Sequence, residues 1–309
     1  MALSFKEIVD ATRTESEARR LKDSLKSLKT RMRDAGPTRG FARALRSRDF
    51  SIIAEVKQRS PSMGRMAAFA EADALRAHKI YDRHPAVSAI SVLTQQAYFG
   101  GTPQLLRLIH RETRKPVLRK DFIFSEYEVY YSRHVGADAI LLMTNVVTDP
   151  REFADLHDLA VGLGMDVLCE VHTEAELEIL PESVRICGIN SRKFGSDKRF
   201  FWSQIARKVR KDVTVDLSTF DLYGRLAARL PAECLKVAES GVTASNIDGI
   251  LAKYGFNAAL IGTALLKGGH YATEAELDKL QAAIERARPS HEGKHPAGTA
   301  TKVGELAAP

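Results

Sequence analysis

Apolar positions along this chain follow two rhythms. Over residues 4–34, Phe5, Ile8 and Val9, then Leu21, Leu25 and Leu28, recur at three- and four-residue spacing, which predicts a largely helical segment. The breaker cluster Ala35-Gly36-Pro37 stops it, and a short helix over 40–47 follows. After that, short runs of nearly continuous apolar residues predict strands at 51–57, 87–94, 116–119, 137–143, 165–170, 185–190, 234–239 and 257–262. Consecutive apolar positions, rather than strict alternation, are what strands covered on both faces require. Between the runs lie amphipathic stretches at 70–82, 102–113, 127–134, 151–163, 174–180 and 244–254, which predict helices.

Strand-then-helix order repeated along the chain calls for a parallel sheet. About eight such units in 309 residues call for a closed barrel rather than an open, doubly wound sheet. No strand is followed by the glycine fingerprint of a dinucleotide site. The expected fold is therefore α/β: a (β/α)8 TIM barrel over residues 49–288, preceded by an N-terminal helical extension over 1–48. Two segments break the rhythm. Residues 195–215 fall between the sixth and seventh strands, with Phe201, Trp202, Ile205 and Val209 on one helical stripe and Arg207, Lys208, Arg210 and Lys211 largely opposite. A helix docked on the barrel is expected there, with a lid or a partner contact as the other reading. Residues 289–309, rich in Pro, Gly, Ala, Lys and Glu, read as a disordered tail.

Composition changes this picture little. The chain is 44% hydrophobic and 28% charged, enough apolar residues for a sizeable core. A net charge of +7 points to anionic partners, but the basic residues are scattered. That favours a small phosphorylated, carboxylated metabolite over nucleic acid. Cys169, Cys187 and Cys234 lie inside predicted strands, too far apart for zinc-type spacing, and read as buried thiols in a reducing, cytoplasmic setting. The N-terminus has no apolar core of a signal sequence, and no run is long enough to span a membrane. A monomer or weak homo-oligomer is expected.

In a barrel of this kind, chemistry collects at the C-terminal ends of the strands. Strand one ends IIAEVKQRSPSMG, with Glu55 and Lys57 two apart and so on one face. They form either a structural ion pair or part of a site; Ser60 and Ser62 in the turn beyond offer hydroxyls to an anion. Strand three ends PVLRKDF, where Lys120 is a general acid, a phosphate contact or a solvated surface lysine. Strand five ends with Glu170, strand six with Asn190 and then Arg192, strand seven with Glu239, Ser240 and Gly241, and strand eight with Gly262 and Thr263. Glycines after the last two strands let backbone N–H groups approach a phosphate closely. The histidines are mostly elsewhere, only His172 standing just past a strand end, so neither a metal nor another cofactor is expected. No nucleophile beside a His–acid pair stands out.

The strings IAEVKQRSPSMG, SVLTQQAYFGGT, LRKDFIF, GADAILLM, CEVHTEAEL, GINSR, AESGV and LIGTALL, in this order from about Phe5 to Ile284, resemble the indole-3-glycerol-phosphate synthase family. The resemblance implies a ring closure of 1-(2-carboxyphenylamino)-1-deoxyribulose 5-phosphate with loss of CO2 and water, a step of tryptophan biosynthesis. It implies Lys120 as general acid and Glu170 as proton acceptor in dehydration. Lys57 would be a second acid or carboxylate contact, and Glu55 would orient the lysines. Asn190, Glu239 and Ser240 would position substrate, together with Arg192. Ser60, Gly241, Gly262 and Thr263 would hold phosphate, and Pro61, Phe99 and Phe122 would wall the aromatic ring. Departures are Gln95 where many members carry an acid, Ser191 where a second Asn is common, Lys193 and Phe194 in place of a usual polar/Leu pair, and Thr263 in place of a frequent Ser or Glu. They leave room for a paralogue acting on a substituted anthranilate derivative. Another phosphate-binding barrel enzyme, and a barrel that binds a protein partner through 195–215, are the competing readings.

Overall fold

The computed structural model describes residues 5–33, 35–59, 71–191, 219–266 and 272–287. Its strands are β1 (Ser51–Val56), β2 (Val87–Leu93), β3 (Val117–Lys120), β4 (Ala139–Met143), β5 (Asp166–Val171), β6 (Ile186–Asn190), β7 (Leu235–Glu239) and β8 (Ala258–Ile261). Each pairs in parallel with the next, and β8 closes on β1 through Ser51 opposite Ala258 and Ala54 opposite Ile261. The eight runs read from the sequence are these strands, with ends moved by one or two residues. Residues 137–143 begin their strand only at Ala139 because Asp138 is engaged elsewhere, its carboxylate accepting from the Arg39 and Val117 backbone N–H groups.

Strand parity explains where the chemistry sits. Ile53, Leu118, Leu141, Leu168, Ile186, Val237 and Leu260 pack together as the inner core. Alternate residues of a strand share a face, so the next inward positions are Glu55, Lys120, Met143, Glu170, Gly188, Glu239 and Gly262. One layer of side chains is thus an apolar plug, and the layer above it is charged. The outward residues, among them Ile52, Val92, Leu142, Cys169, Cys187 and Ile189, pack against the surrounding helices in a second core. All three cysteines are free and buried there.

The N-terminal segment is two helices rather than one: α1 (Phe5–Lys22) and α2 (Leu25–Met32). Ser24 separates them because its hydroxyl caps α2, accepting from the Ser27 N–H. A third, α3 (Phe41–Arg46), buries Phe41 and Leu45 among the inner-core residues. α1 is fastened to the barrel by charge. Glu128, fully buried, accepts from Ser16 and Arg19 of α1 and pairs with Arg119 at 2.7 Å. Arg119, itself fully buried on the outer side of β3, also pairs with Asp121 at 2.8 Å and donates to Thr94 and Ser132. Satisfying every donor is what makes a buried guanidinium tolerable.

Several elements differ from expectation or lie beyond it, among them the helices Thr219–Ala227, Thr263–Leu266 and Ala272–Ala287, which the predicted stretches do not include. Gln96–Phe99 forms a short helix that periodicity cannot reveal in so few residues. The stretch read as a helix at 174–180 is a 3-10 helix, Ala175–Ile179. The inserted segment 195–215 and the tail 289–309 lie outside the described residues. Among the described residues, no helix is long and apolar enough to cross a membrane.

Candidate active site

The mouth of the barrel is a cavity of about 700 Å³ lined by Glu55, Lys57, Phe99, Lys120, Phe122, Glu170, Asn190, Ser240, Gly241, Gly262 and Thr263, among others. Apolar walls come from Leu93, Leu141, Met143, Leu260 and Ile261. Of the site residues expected from the sequence, Glu239 lies just beneath, buried against Lys120, and Ser60, Pro61 and Arg192 fall outside the described residues. So does Phe194.

Lys120 is the hub. Its Nζ lies 2.8 Å from Glu239 Oε2, 3.8 Å from Glu55 Oε2 and 3.9 Å from Glu170 Oε2. Burial favours the neutral amine, but Glu239, Glu170 and Glu55 outweigh it and hold the group well above the ordinary lysine range. Lys120 is therefore a firmly protonated donor set in an apolar wall. Of the alternatives open at the sequence level, a solvated surface lysine is ruled out, since the side chain is only 16% exposed.

Lys57 stands across the mouth, 2.8 Å from Glu55 Oε1, and donates to Thr263 Oγ1 at 2.9 Å. Glu55 thus reaches both lysines, one with each oxygen. That geometry depends on Gly262: a Cβ there would sit 2.1 Å from Glu55 Oε1. Gly188 has the same part on β6, where a Cβ would sit 2.0 Å from Glu239 Oε1. These two glycines are the gaps that let carboxylates lie across neighbouring strands.

Burial pushes the Glu239 carboxyl up; Lys120 opposes the rise and the adjoining Glu170 adds to it. Glu170 moves the other way. Burial would raise it, but His172 and Lys120 draw it below the ordinary carboxylate range, so it is the more readily ionised member of the pair. Asn190 Nδ2 donates to Glu170 Oε1 at 3.1 Å, and Ser240 Oγ donates to Asn190 Oδ1 at 2.7 Å. A chain of polar contacts therefore runs from the base candidate to the turn after β7.

That turn is strained. Ser240 has φ 69° and Gly241 φ 71°, both left-handed, which costs a serine about 1–2 kcal/mol. Tyr223 holds it, its hydroxyl lying 2.6 Å from the Glu239 carbonyl oxygen and 2.8 Å from that of Ser240. With Gly262 and Thr263 after β8, this end of the cavity offers backbone amides and hydroxyls to an anion. At the apolar side Phe99 and Phe122 stand with ring centroids 6.4 Å apart, and Phe5 of α1 packs edge-on against Phe122 at 5.7 Å.

Sequence reasoning misses three supporting residues. Tyr223 and Phe5 carry no signal, being apolar-periodic positions of helices. His172 carries one, its place just past β5, but on the sequence alone that place bears only on metal binding. Among the described residues no cluster of His, Cys, Asp and Glu is arranged to hold a metal.

Comparison with known proteins narrows the chemistry. The family model described as indole-3-glycerol phosphate synthase matches residues 5–277. The indole-3-glycerol phosphate synthase of Parafrankia sp. (strain EAN1pec) is 36% identical over 267 residues, covering 86% of this chain and 91% of the relative. That of Paenarthrobacter aurescens (strain TC1) is 37% identical over 266 residues, covering 84% and 89%. Among solved structures, the 3-hexulose-6-phosphate synthase of Salmonella typhimurium superposes with a TM-score of 0.52 at 13% identity, over 77% of this chain and 100% of that one, a likeness of fold alone.

Proposed function

The chain belongs to the indole-3-glycerol phosphate synthase family, and on that premise we infer that its barrel mouth closes the indole ring of 1-(2-carboxyphenylamino)-1-deoxyribulose 5-phosphate. The observation that carries the assignment of roles is the partly buried, protonated Lys120 ringed by Glu55, Glu170 and Glu239. A donor held there meets the ribulose carbonyl when the aromatic ring lies between Phe99 and Phe122 and the phosphate lies at the β7–β8 end. The ring carbon bearing the carboxylate attacks that carbonyl, and Lys120 gives its proton to the oxygen, which becomes a hydroxyl. Lys57 faces the carboxylate that then leaves as CO2, its bonding electrons restoring the aromatic ring. Lys57, the second acid, then protonates the new hydroxyl, which leaves as water, while a proton from the neighbouring carbon passes to ionised Glu170 and completes the indole.

Glu55 aims both lysines, and Asn190 fixes Glu170. Ser240, Gly241, Gly262 and Thr263 hold the phosphate; for Ser60, Arg192 and Pro61 the family resemblance alone implies a part in binding the substrate. The three reduced, buried cysteines support a cytoplasmic enzyme working on a free metabolite. The test is to supply the substrate to the purified protein and follow CO2 and the indole product together. Equal amounts of both are expected; CO2 without indole, or neither from a folded protein that binds the substrate, would remove the assignment.

A further inference from the structure

His172 follows β5 directly and takes no part in lining the cavity. Its side chain is only 12% exposed, yet it stands between two carboxylates. Nε2 lies 3.1 Å from Glu170 Oε1 and Nδ1 lies 3.5 Å from Glu176 Oε2. Glu176 is held in place from the other side, since its Oε2 accepts from the His172 backbone N–H at 2.7 Å and from Thr144 Oγ1 at 2.8 Å. The other groups near the ring include the Asn145 amide, 3.5 Å from Nδ1, and, beyond Glu170, Asn190, Lys120 and Glu239.

A neutral imidazole carries one N–H and one bare lone pair. Between two carboxylates, that lone pair would point at a negative oxygen. A neutral ring with a bare Nδ1 could accept from the Asn145 amide, but it would then offer nothing to Glu176, and only the doubly protonated ring serves both carboxylates. Burial works against the charge, but Glu170 and Glu176 together overcome it and lift the histidine to about 10.

We propose that His172 is a positioning residue for the reaction: a permanent imidazolium, clamped by Glu176, that keeps Glu170 ionised while Lys120 loses its proton. This rests on Glu170 being the base. The need is physical. Glu170 is fully buried, and a buried carboxylate without a cation takes up a proton. Lys120 is one such cation, but in the first step it gives its charge away. Without a second cation Glu170 would compete with the substrate for the Lys120 proton and arrive at the dehydration step already protonated. His172 approaches Glu170 from the side away from Lys120, on Oε1 rather than Oε2, so its charge persists through that transfer.

The test combines a pH profile with a direct reading of the ring. Removing a neighbouring cation disfavours the ionised carboxylate, so in His172→Gln the acid limb of kcat should move to higher pH by about one unit or more. KM should stay within about two-fold, since His172 lies outside the substrate cavity. Glu176→Gln, which unclamps the ring but leaves it present, should shift the limb the same way by less, and it carries the kinetic test if His172→Gln does not fold. In parallel, 13C-histidine NMR of the wild type should show one ring, assigned by its loss in His172→Gln or its shift in Glu176→Gln, that stays imidazolium from pH 6 to about 8.5. A ring that titrates near the ordinary histidine value, about 6.5, would overturn the proposal, as would folded variants whose acid limb stays where the wild type has it. Failure of the parent assignment looks different: the wild type would not turn over the substrate at all, and the NMR reading would still decide the charge on His172.

Discussion

At the scale of single residues, the site is governed by how close charges may come. Glu55 and Glu239 each lie across a neighbouring strand in space that only a glycine leaves open, Gly262 for the first and Gly188 for the second. Gly262→Ala should therefore push Glu55 off Lys57, since the new methyl would also lie 2.9 Å from Lys57 Nζ. We expect kcat to fall by about ten-fold or more, as when a positioned charge is misplaced by about an ångström, with little change in melting temperature. Unchanged kinetics would mean that Glu55 does not aim the lysines. The charged residues of the mouth were legible in the sequence because each ends an otherwise apolar run at the face where barrels do chemistry. Their individual states were not. Nothing in the strings CEVH and KVAES says that the Glu170 carboxyl is drawn down while that of Glu239 is pushed up, because that difference comes from burial and from the second cation, His172, that only Glu170 touches.

At the scale of elements, the strands were legible and the devices that join them were not. Outer and inner cores force continuous apolar runs, so β1 to β8 announce themselves. The split of residues 4–34 at Ser24 escaped periodicity, because a capping hydroxyl outweighs an apolar stripe that could continue through it. Gln95 is a clearer case. Its side-chain oxygen caps the Gln96–Phe99 helix by accepting from the Tyr98 and Phe99 N–H groups, while its Nε2 donates to Glu15 of α1 at 3.2 Å. The same Glu15 carboxylate accepts from the Gln96 and Ala97 N–H groups. An acid at position 95 would repel Glu15; the amide instead links α1 to the element that carries Phe99. Gln95→Glu should accordingly loosen Phe99 and raise KM several-fold with kcat nearly kept, measured by steady-state kinetics at low ionic strength; an unchanged KM would separate α1 from the aromatic wall. The deeper fastening of α1 is Glu128. Glu128→Ala strands Arg119 without its closest carboxylate inside the protein and should cost about 3–5 kcal/mol in urea unfolding. A loss under about 1 kcal/mol would mean that Asp121 alone satisfies the guanidinium.

At the scale of the whole molecule, a basic chain of net charge +7 places three carboxylates around one lysine at its centre. This is not a contradiction. On the proposed reading, Lys57 and the amides and hydroxyls after β7 and β8 would meet the phosphate and carboxylate of the substrate, whereas the carboxylates around Lys120 would keep the proton donor charged. A barrel that merely bound a phosphorylated sugar would need the first set without the second. Lys120 is the point where the two designs diverge, so it is where the assigned reaction is most exposed. The most direct measurement mixes Lys120→Met with 1-(2-carboxyphenylamino)-1-deoxyribulose 5-phosphate, follows indole fluorescence beside the wild type, and records substrate binding to both. The variant should fold and bind the substrate within about ten-fold of the wild type, while turnover drops by about 100-fold or more, the usual contribution of a general acid. Near-normal turnover by the variant would contradict Lys120 as the acid and, with it, the reaction path drawn through the barrel mouth.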